Sequence, residues 1–475
     1  MSSLSFLNAP RRSRRYTWMP SFAINNIAHP GSGAGLWGTQ LHTVSCPDDF
    51  FAVRVGFIQM TPNTYIVPAV TAVGSSTRND LVNPTGGAAP VRLTFLHAGA
   101  DSEDIVTAAD APTTIVVMGN TPDQSTGETF VPKWTWTDWC RCPSAGADPV
   151  TGMRTLMIRH TVTLNDSSPV TFINGTIREW SGDLAINHGY DAFVGGFNNG
   201  SDLTLFERVS RQLAETNTLV NGSFIAAVQL LTANDVLQVH SAGDSHASGA
   251  STAAQINSFL PQTIASLGAR RTGVYPMGFS TTSIAGAESR LFFPSCRTFL
   301  PYLNGGVLVL PGWTYNDVGN EPADAPACEL FFARLTQMID IARRDGFVPI
   351  VMTPFPRDRD CMGPVQLANW KSLYRRVLNM RKTGTIVVDA TTAMGNRTAL
   401  WGLDGCYAPG LSTDNKHPSD AGHARIVAPL AAALAHIGAL DMFDGQVQRR
   451  PEAEPNGMPE PQPENDDEAT GDPSG

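Results

Sequence analysis

Residues 239–250 read Val-His-Ser-Ala-Gly-Asp-Ser-His-Ala-Ser-Gly-Ala, an apolar, strand-like run that ends abruptly in small residues. Those small residues bring together a carboxylate (Asp244), a hydroxyl (Ser245) and two histidines (His240 and His246). A solvated turn, a metal site and the setting of a nucleophile would all look like this. The remaining chain has to decide among them.

Downstream, strand-like runs alternate with helical stretches. "DVLQVHSAG" (235–243) leads into "STAAQINSFLPQTIASLG" (251–268), with a helix expected to begin near Ser251; "RTGVYPMG" (271–278) and "GGVLVLPG" (305–312) follow. A long helix is expected over 328–344, where Phe331, Leu335, Met338, Ile339 and Ala342 recur at three- and four-residue steps and form one apolar stripe. Then come "FVPIVMTP" (347–354), a helix over 367–381, "GTIVVDAT" (384–391) and an Ala-rich helix over 421–436. Strands that read as unbroken apolar runs belong to sheets covered on both faces. The alternation therefore predicts a three-layer α/β/α unit on a five-stranded parallel, doubly wound sheet, with ligands at the carboxyl ends of the strands.

Upstream, short β-type runs such as "YIVPAVTAV" and "TLMIRHTVTL" are punctuated by Gly, Pro, Asn and Asp, as in an all-β sandwich or jelly-roll. In "WTWTDW", Trp134 and Trp136 share one face of a strand, where they serve either as core or as a platform for sugar rings. The 475 residues divide into a basic arm (1–17), read as solvated, a β-rich domain (18–232), the α/β domain (233–440) and a Pro-rich acidic tail (441–475) expected to be disordered.

The formal net charge of −10 belongs largely to that tail: residues 451–475 carry eight acidic and no basic side chains, leaving the body near −2. Without a basic stripe, nucleic acid is not an expected partner. Seven scattered cysteines suit reduced thiols better than a disulfide framework, and Cys140-Arg-Cys142 lacks zinc-knuckle spacing. The apolar content after Arg11-Arg12-Ser13-Arg14-Arg15 breaks at Pro20, Asn25 and Asn26, so neither a signal peptide nor a membrane span is expected. The chain reads as soluble and cytoplasmic by default, with export by another route left open.

The strand ends collect the chemistry. The first closes on Gly243-Asp244-Ser245 and the second on Gly278-Phe279-Ser280. The third runs into Gly312-Trp313-Thr314-Tyr315-Asn316-Asp317, and Asp414-Asn415-Lys416-His417-Pro418 precedes the last helix. A serine hydroxyl needs an adjacent base, for which imidazole is suited. His417 supplies one, and Asp414, three residues earlier, can reach round a turn to orient it. The Ser245 and Gly278 N–H groups and the Asn316 side chain are candidate oxyanion donors.

In these blocks the chain resembles the GDSL-type, or SGNH, serine hydrolases over residues 233–440. The resemblance rests on Gly243-Asp244-Ser245, Gly278-x-Ser280, an extended Gly312…Asn316-Asp317 block and Asp414-x-x-His417. It implies Ser245, Gly278, Asn316 and His417 as the namesake residues and Asp414 as the triad acid, with no metal or cofactor. Two extra residues, Thr314 and Tyr315, lengthen the third block, and the second has Gly278 as its sole glycine. His246, Trp313 and Tyr315 are candidate substrate contacts. His240 reads as a core histidine, and His423, one and a half turns into the last helix, as facing away from the loop.

The expected activity is hydrolysis of short acyl esters, O-acetyl in particular, on a small molecule or polysaccharide. Two alternatives are an O-acyltransferase using the same triad and a carbohydrate-binding or structural assembly component with an accessory esterase. The oligomeric state is not written in the sequence.

Overall fold

The structure is a computed structural model. It describes residues 12–18, 23–27, 36–59, 63–75, 89–97, 104–106, 111–118, 133–147, 154–164, 170–174, 224–243, 246–247, 249, 251–253, 257–266, 272–278, 305–312, 325–357, 364–396, 406–414 and 416–437. Residues 1–11 of the arm and the tail from 441 lie outside these.

The β-rich half contributes strands β1 (Arg12–Trp18), β2 (Ala23–Ile27), β3 (Leu36–Cys46), β4 (Phe50–Gln59), β5 (Tyr65–Ser75) and β6 (Val91–Arg92). These are followed by β7 (Ile105–Val106), β8 (Ile115–Val117), β9 (Lys133–Trp136), β10 (Trp139–Arg141), β11 (Arg154–Leu164) and β12 (Val170–Asn174). Strands β3, β11, β5 and β6 lie side by side, with β8 also on β5, in a five-stranded antiparallel sheet. Its Val44, Val67, Leu156 and Ile158 share one core with Val53, Val55 and Phe57 of β4, so two sheets pack face to face.

Strand β13 (Ile225–Gly243) joins this half to the next. At 19 residues it is over three times the usual strand length. Its first part pairs antiparallel with β1 and β4, the last β4 pair being Thr232↔Phe50. Its second part pairs in parallel with β14 (Thr272–Gly278) from Leu237↔Thr272 onward, and with β15 (Gly306–Gly312). The boundary expected between 232 and 233 thus falls inside one continuous strand, between its last pair with β4 and its first with β14, while β1 stays paired across it.

Residues 12–17, expected to belong to a solvated arm, are instead in β1, paired with β13. Tyr16 and Trp18 are buried, and two of the arginines hold their guanidinium groups over aromatic rings, Arg14 over Phe51 and Arg15 over Trp139. The basic composition signalled solvent, but the alternating aromatics decided the pairing.

Strands β16 (Phe347–Pro354) and β17 (Ile386–Val388) complete the parallel part in the order β14-β13-β15-β16-β17. That is the 2-1-3-4-5 order of flavodoxin-like folds, with its switch point at the first strand. The whole forms a ten-stranded mixed sheet. At its β17 edge, Arg381 donates from Nε and Nη2 to the Val387 carbonyl and so occupies a group that would otherwise offer itself to another strand.

Helices α1 (Phe259–Ser266), α2 (Ala325–Arg344), α3 (Pro364–Asn379), α4 (Ala390–Met394) and α5 (Asp420–His436) supply the outer layers. The β pleat sorts their partners. Leu308, Leu310 and Val351 pack with Phe331, Leu335 and Met338 of α2 and Leu373 and Val377 of α3. Val307, Val309, Ile350 and Met352 face Phe259 and Leu260 of α1 and Ile426, Leu430 and Leu434 of α5. All five stripe residues of α2 are buried, each contributing about 1.5–3 kcal/mol where the side chain is large and aliphatic or aromatic.

The helix expected from Ser251 begins only at Phe259. Ser251 takes a left-handed conformation (φ 67°), which a helix cannot continue, and Pro261 is tolerated as the third helical residue because it lies in the first turn.

The tryptophan pair stacks on itself, with ring centroids 5.0 Å apart and planes 10° from parallel. Trp136 is buried, and both rings cover Gly56, where a Cβ would meet them at 2.8–2.9 Å. The pair belongs to the core, as the first of the two sequence readings had it.

Candidate active site

Three glycine-terminated strands end together. Gly243 is the register partner of Gly278, and Gly312, at the end of β15, pairs with Pro354 of β16. Gly278 therefore lies on the backbone beside Gly243, two residues before Ser245 in sequence. Ser245 itself, with Asp244, Trp313, Tyr315, Asn316 and Asp317, lies outside the described residues; the flanking Gly243, His246 and Gly312 lie within them.

The loop before α5 is built around Asp414. A β-bridge between Ser412 and Pro418 closes it. The Asp414 Oδ1 atom accepts the backbone N–H of Lys416 (2.8 Å) and of His417 (2.7 Å), an Asp-centred turn of the kind short carboxylates favour. Ser412 Oγ donates to the His417 carbonyl at 2.7 Å. Ser419 caps α5, accepting the Gly422 N–H and donating to the Gly410 carbonyl. Gly422 permits the close approach: a Cβ there would collide with the Leu411 carbonyl oxygen and Pro418.

Within this loop, Asp414 Oδ2 and His417 Nδ1 are 2.6 Å apart. With Nδ1–H donating to the carboxylate, the basic nitrogen of the neutral ring is Nε2. Partial burial pushes the Asp414 carboxyl up, but hydrogen bonds from the His417 ring and from the His417 and Lys416 N–H groups, with the charge of His417, outweigh it. The group is held well below the usual carboxylate range. The Asp414 and His417 side chains remain 38% and 20% exposed, so water reaches the pair.

The segment after Ser245 is fastened to this loop. His246 is buried, its ring centroid 5.1 Å from that of His417 and edge-on to Phe355 at 5.2 Å. Its Nε2 lies 3.0 Å from the Lys416 carbonyl, which also accepts Tyr407 Oη–H at 3.1 Å. Since a carbonyl only accepts, His246 Nε2 carries its proton. Ser251 Oγ donates to Asp414 Oδ2 at 3.0 Å. Ala253 N–H and Asn257 Nδ2 donate to the two oxygens of Asp420.

The side chain of His423 packs towards α1. It lies in the first turn of α5, fully buried and stacked on Phe259, with Nδ1 accepting the Phe259 N–H at 3.2 Å. Burial pushes its pKa down to about 3, with the charges of His246 and His417 acting the same way. Helical periodicity places a residue on a face; the direction of that face depends on α1, whose late start was not foreseen. His240, buried in β13, is pushed down to about 3 by burial.

These two histidines predict acid sensitivity. Their folded pKa values lie below the unfolded value of about 6.5, so their contribution to stability is intact above that pH and is lost as pH falls from about 6.5 towards 3. Between pH 7 and pH 5, the unfolding free energy from urea titrations should fall by up to about 1.4 kcal/mol per pH unit for each histidine. His423→Gln should flatten the curve by one proton; an unchanged slope in that variant would remove His423 from the account.

Among the described residues no group of three or more His, Cys, Asp or Glu is placed to hold a metal ion. Cys46, Cys140, Cys142 and Cys406 are free thiols. No helix among the described residues is long and apolar enough to cross a membrane.

No family model matches the chain, and no curated protein matches it. Solved structures similar to it are GDSL lipases and esterases. A GDSL-like lipase from Bacteroides thetaiotaomicron is 16% identical, covering 42% of this chain and 88% of that one (TM-score 0.33). An acetylxylan esterase from Geobacillus stearothermophilus is 18% identical over 42% of this chain and 94% of its own (TM-score 0.31). A family two carbohydrate esterase from Clostridium thermocellum, solved with cellohexaose, is 14% identical over 89% of this chain and 99% of its own (TM-score 0.33). These are distant likenesses, and the functional reading below rests on the residues themselves.

Proposed function

We propose that the chain is a serine esterase of the SGNH type that hydrolyses short acyl esters, O-acetyl groups on a carbohydrate or other polar alcohol foremost. One observation carries the reading: His246, the neighbour of Ser245 in sequence, stands ring to ring with the His417 that Asp414 orients. A nucleophile turn and a base loop held together in this way are what acyl transfer requires.

In the proposed cycle, Ser245 Oγ attacks the ester carbonyl while His417 Nε2 takes its proton. The negative charge on the tetrahedral carbonyl oxygen is met by the Ser245 and Gly278 N–H groups and the Asn316 side chain. Collapse expels the alcohol, which receives the proton from His417, and leaves an acyl-serine. Water then attacks with His417 again as base, and the acid and free Ser245 are released. Asp414 keeps Nδ1 protonated throughout and stabilises the imidazolium.

The exposure of the pair to solvent gives water access as the acyl acceptor, and acyl release in buffer without an added sugar separates hydrolysis from transfer.

The test uses p-nitrophenyl esters of two, four and eight carbons, a fluorophosphonate probe and the Ser245→Ala variant. Turnover is expected to be fastest on the acetate and probe labelling to fall at Ser245, with neither in the variant. Full turnover by Ser245→Ala overturns the reading. A preference for the eight-carbon ester redirects the substrate to lipids.

A further inference from the structure

Ser251 is the one residue other than glycine with positive φ among the described residues (67°). A serine pays for this conformation where glycine or asparagine would not, and such residues persist when their surroundings over-determine them. Here they do. Gly249, itself at φ 74°, donates its N–H to the His246 carbonyl, and its own carbonyl accepts both the N–H and the Oγ1–H of Thr252. The turn so locked aims Ser251 Oγ at Asp414 Oδ2, 3.0 Å away. That is the oxygen on which His417 Nδ1 also rests.

The other oxygen of Asp414 is occupied by the two backbone N–H groups of its own loop. Ser251 is thus the hydrogen bond from the nucleophile's segment to the carboxylate itself. An ionised carboxylate only accepts, so the serine hydroxyl must donate. This has two effects. It fixes the carboxylate plane with respect to the imidazole, and it draws charge from Oδ2, so that the imidazolium of His417 is stabilised less than by a carboxylate with no second donor there.

We propose that Ser251 is a positioning residue of the site, held in a left-handed conformation so that its hydroxyl orients Asp414 and tempers the basicity of His417. The inference deepens the esterase reading and rests on it for its kinetic part. Its electrostatic part concerns only the described residues.

The test compares Ser251→Gly with Ser251→Ala. Glycine removes the hydroxyl and suits the backbone, whereas alanine removes the hydroxyl and keeps the strain. Ser251→Gly is expected to keep or raise Tm, lower kcat on p-nitrophenyl acetate about tenfold with KM little changed, and move the acid limb of the pH profile to higher pH. Ser251→Ala is expected to show the same kinetic loss with a lower Tm. The groups facing His417 include Asp414 and His246, with Lys416 next along the chain, and the charge of His417 is also felt at the buried His423. All are retained in both variants, so the shift reads the hydroxyl.

An NMR titration of the His417 ring in the wild type and in Ser251→Gly makes the same comparison without turnover. A higher midpoint in the variant supports the proposal even if Ser245→Ala proves fully active, an outcome that would sink the esterase reading alone. Wild-type kcat, pH profile and His417 titration in Ser251→Gly would leave Ser251 a loop residue and overturn the proposal.

Discussion

Replacing His417 by alanine should lower kcat on p-nitrophenyl acetate by about 10⁴- to 10⁶-fold, and Ser245→Ala should do the same, with the double variant no worse than either single one. The reason for the equality is that the two side chains act as a unit. Without an acceptor for its proton the serine hydroxyl is a poor nucleophile, and without the hydroxyl the imidazole has nothing to deprotonate in the first step. Whatever remains comes from binding and the oxyanion donors, which neither substitution touches. The measurement is steady-state turnover with all three variants, alongside far-UV circular dichroism to show that each is folded. Losses that multiply in the double variant would mean that His417 and Ser245 serve separate steps, and the proposed cycle would fall.

The parallel half of the fold was readable because its signals are local and redundant. Short unbroken apolar runs rich in β-branched residues, such as Phe347–Pro354, suit strands covered on both faces, and the stripe from Phe331 to Ala342 suits one face of a helix. Where the reading went astray, long-range pairing outweighed local composition. Arg12–Trp18 looks like a solvated basic segment, yet Tyr16 and Trp18 find their places on β13, more than two hundred residues away. Likewise nothing in Ile225–Gly243 announces that a single strand serves two kinds of sheet pairing; a change of partner leaves no mark on the residues that make it.

At the site, the Asp414–His417 pair was legible because only two residues separate acid from base and a short turn can close that gap unaided. Ser251 was not. Glycine advertises a left-handed position, but a serine in the same conformation is silent in sequence, and its partner lies 163 residues further on. His246 looked like a substrate contact because it neighbours Ser245, and its burial against Phe355 and its bond to the Lys416 carbonyl could come only from the folded chain.

The second large effect is expected from Asp414→Asn, a change of one atom that should cost about 10⁴ in kcat. The loop dictates how the amide sits. The position of Oδ1 must still accept the N–H groups of Lys416 and His417, so the amide oxygen stays there and the NH₂ takes the place of Oδ2. The group facing His417 Nδ1 is then a donor. The imidazole can meet it only by accepting at Nδ1, which moves the ring proton to Nε2, the atom that should receive the proton of Ser245. Ser251 can follow by rotating its hydroxyl to accept from the same NH₂, so the wrong tautomer is satisfied on every side and the loop keeps its shape. Asp414→Asn should therefore lose activity and fluorophosphonate labelling with little loss of Tm, whereas Asp414→Ala removes the turn's acceptor as well and should lose Tm too. Turnover by Asp414→Asn within tenfold of the wild type would show that the tautomer of His417 is set by something other than Asp414.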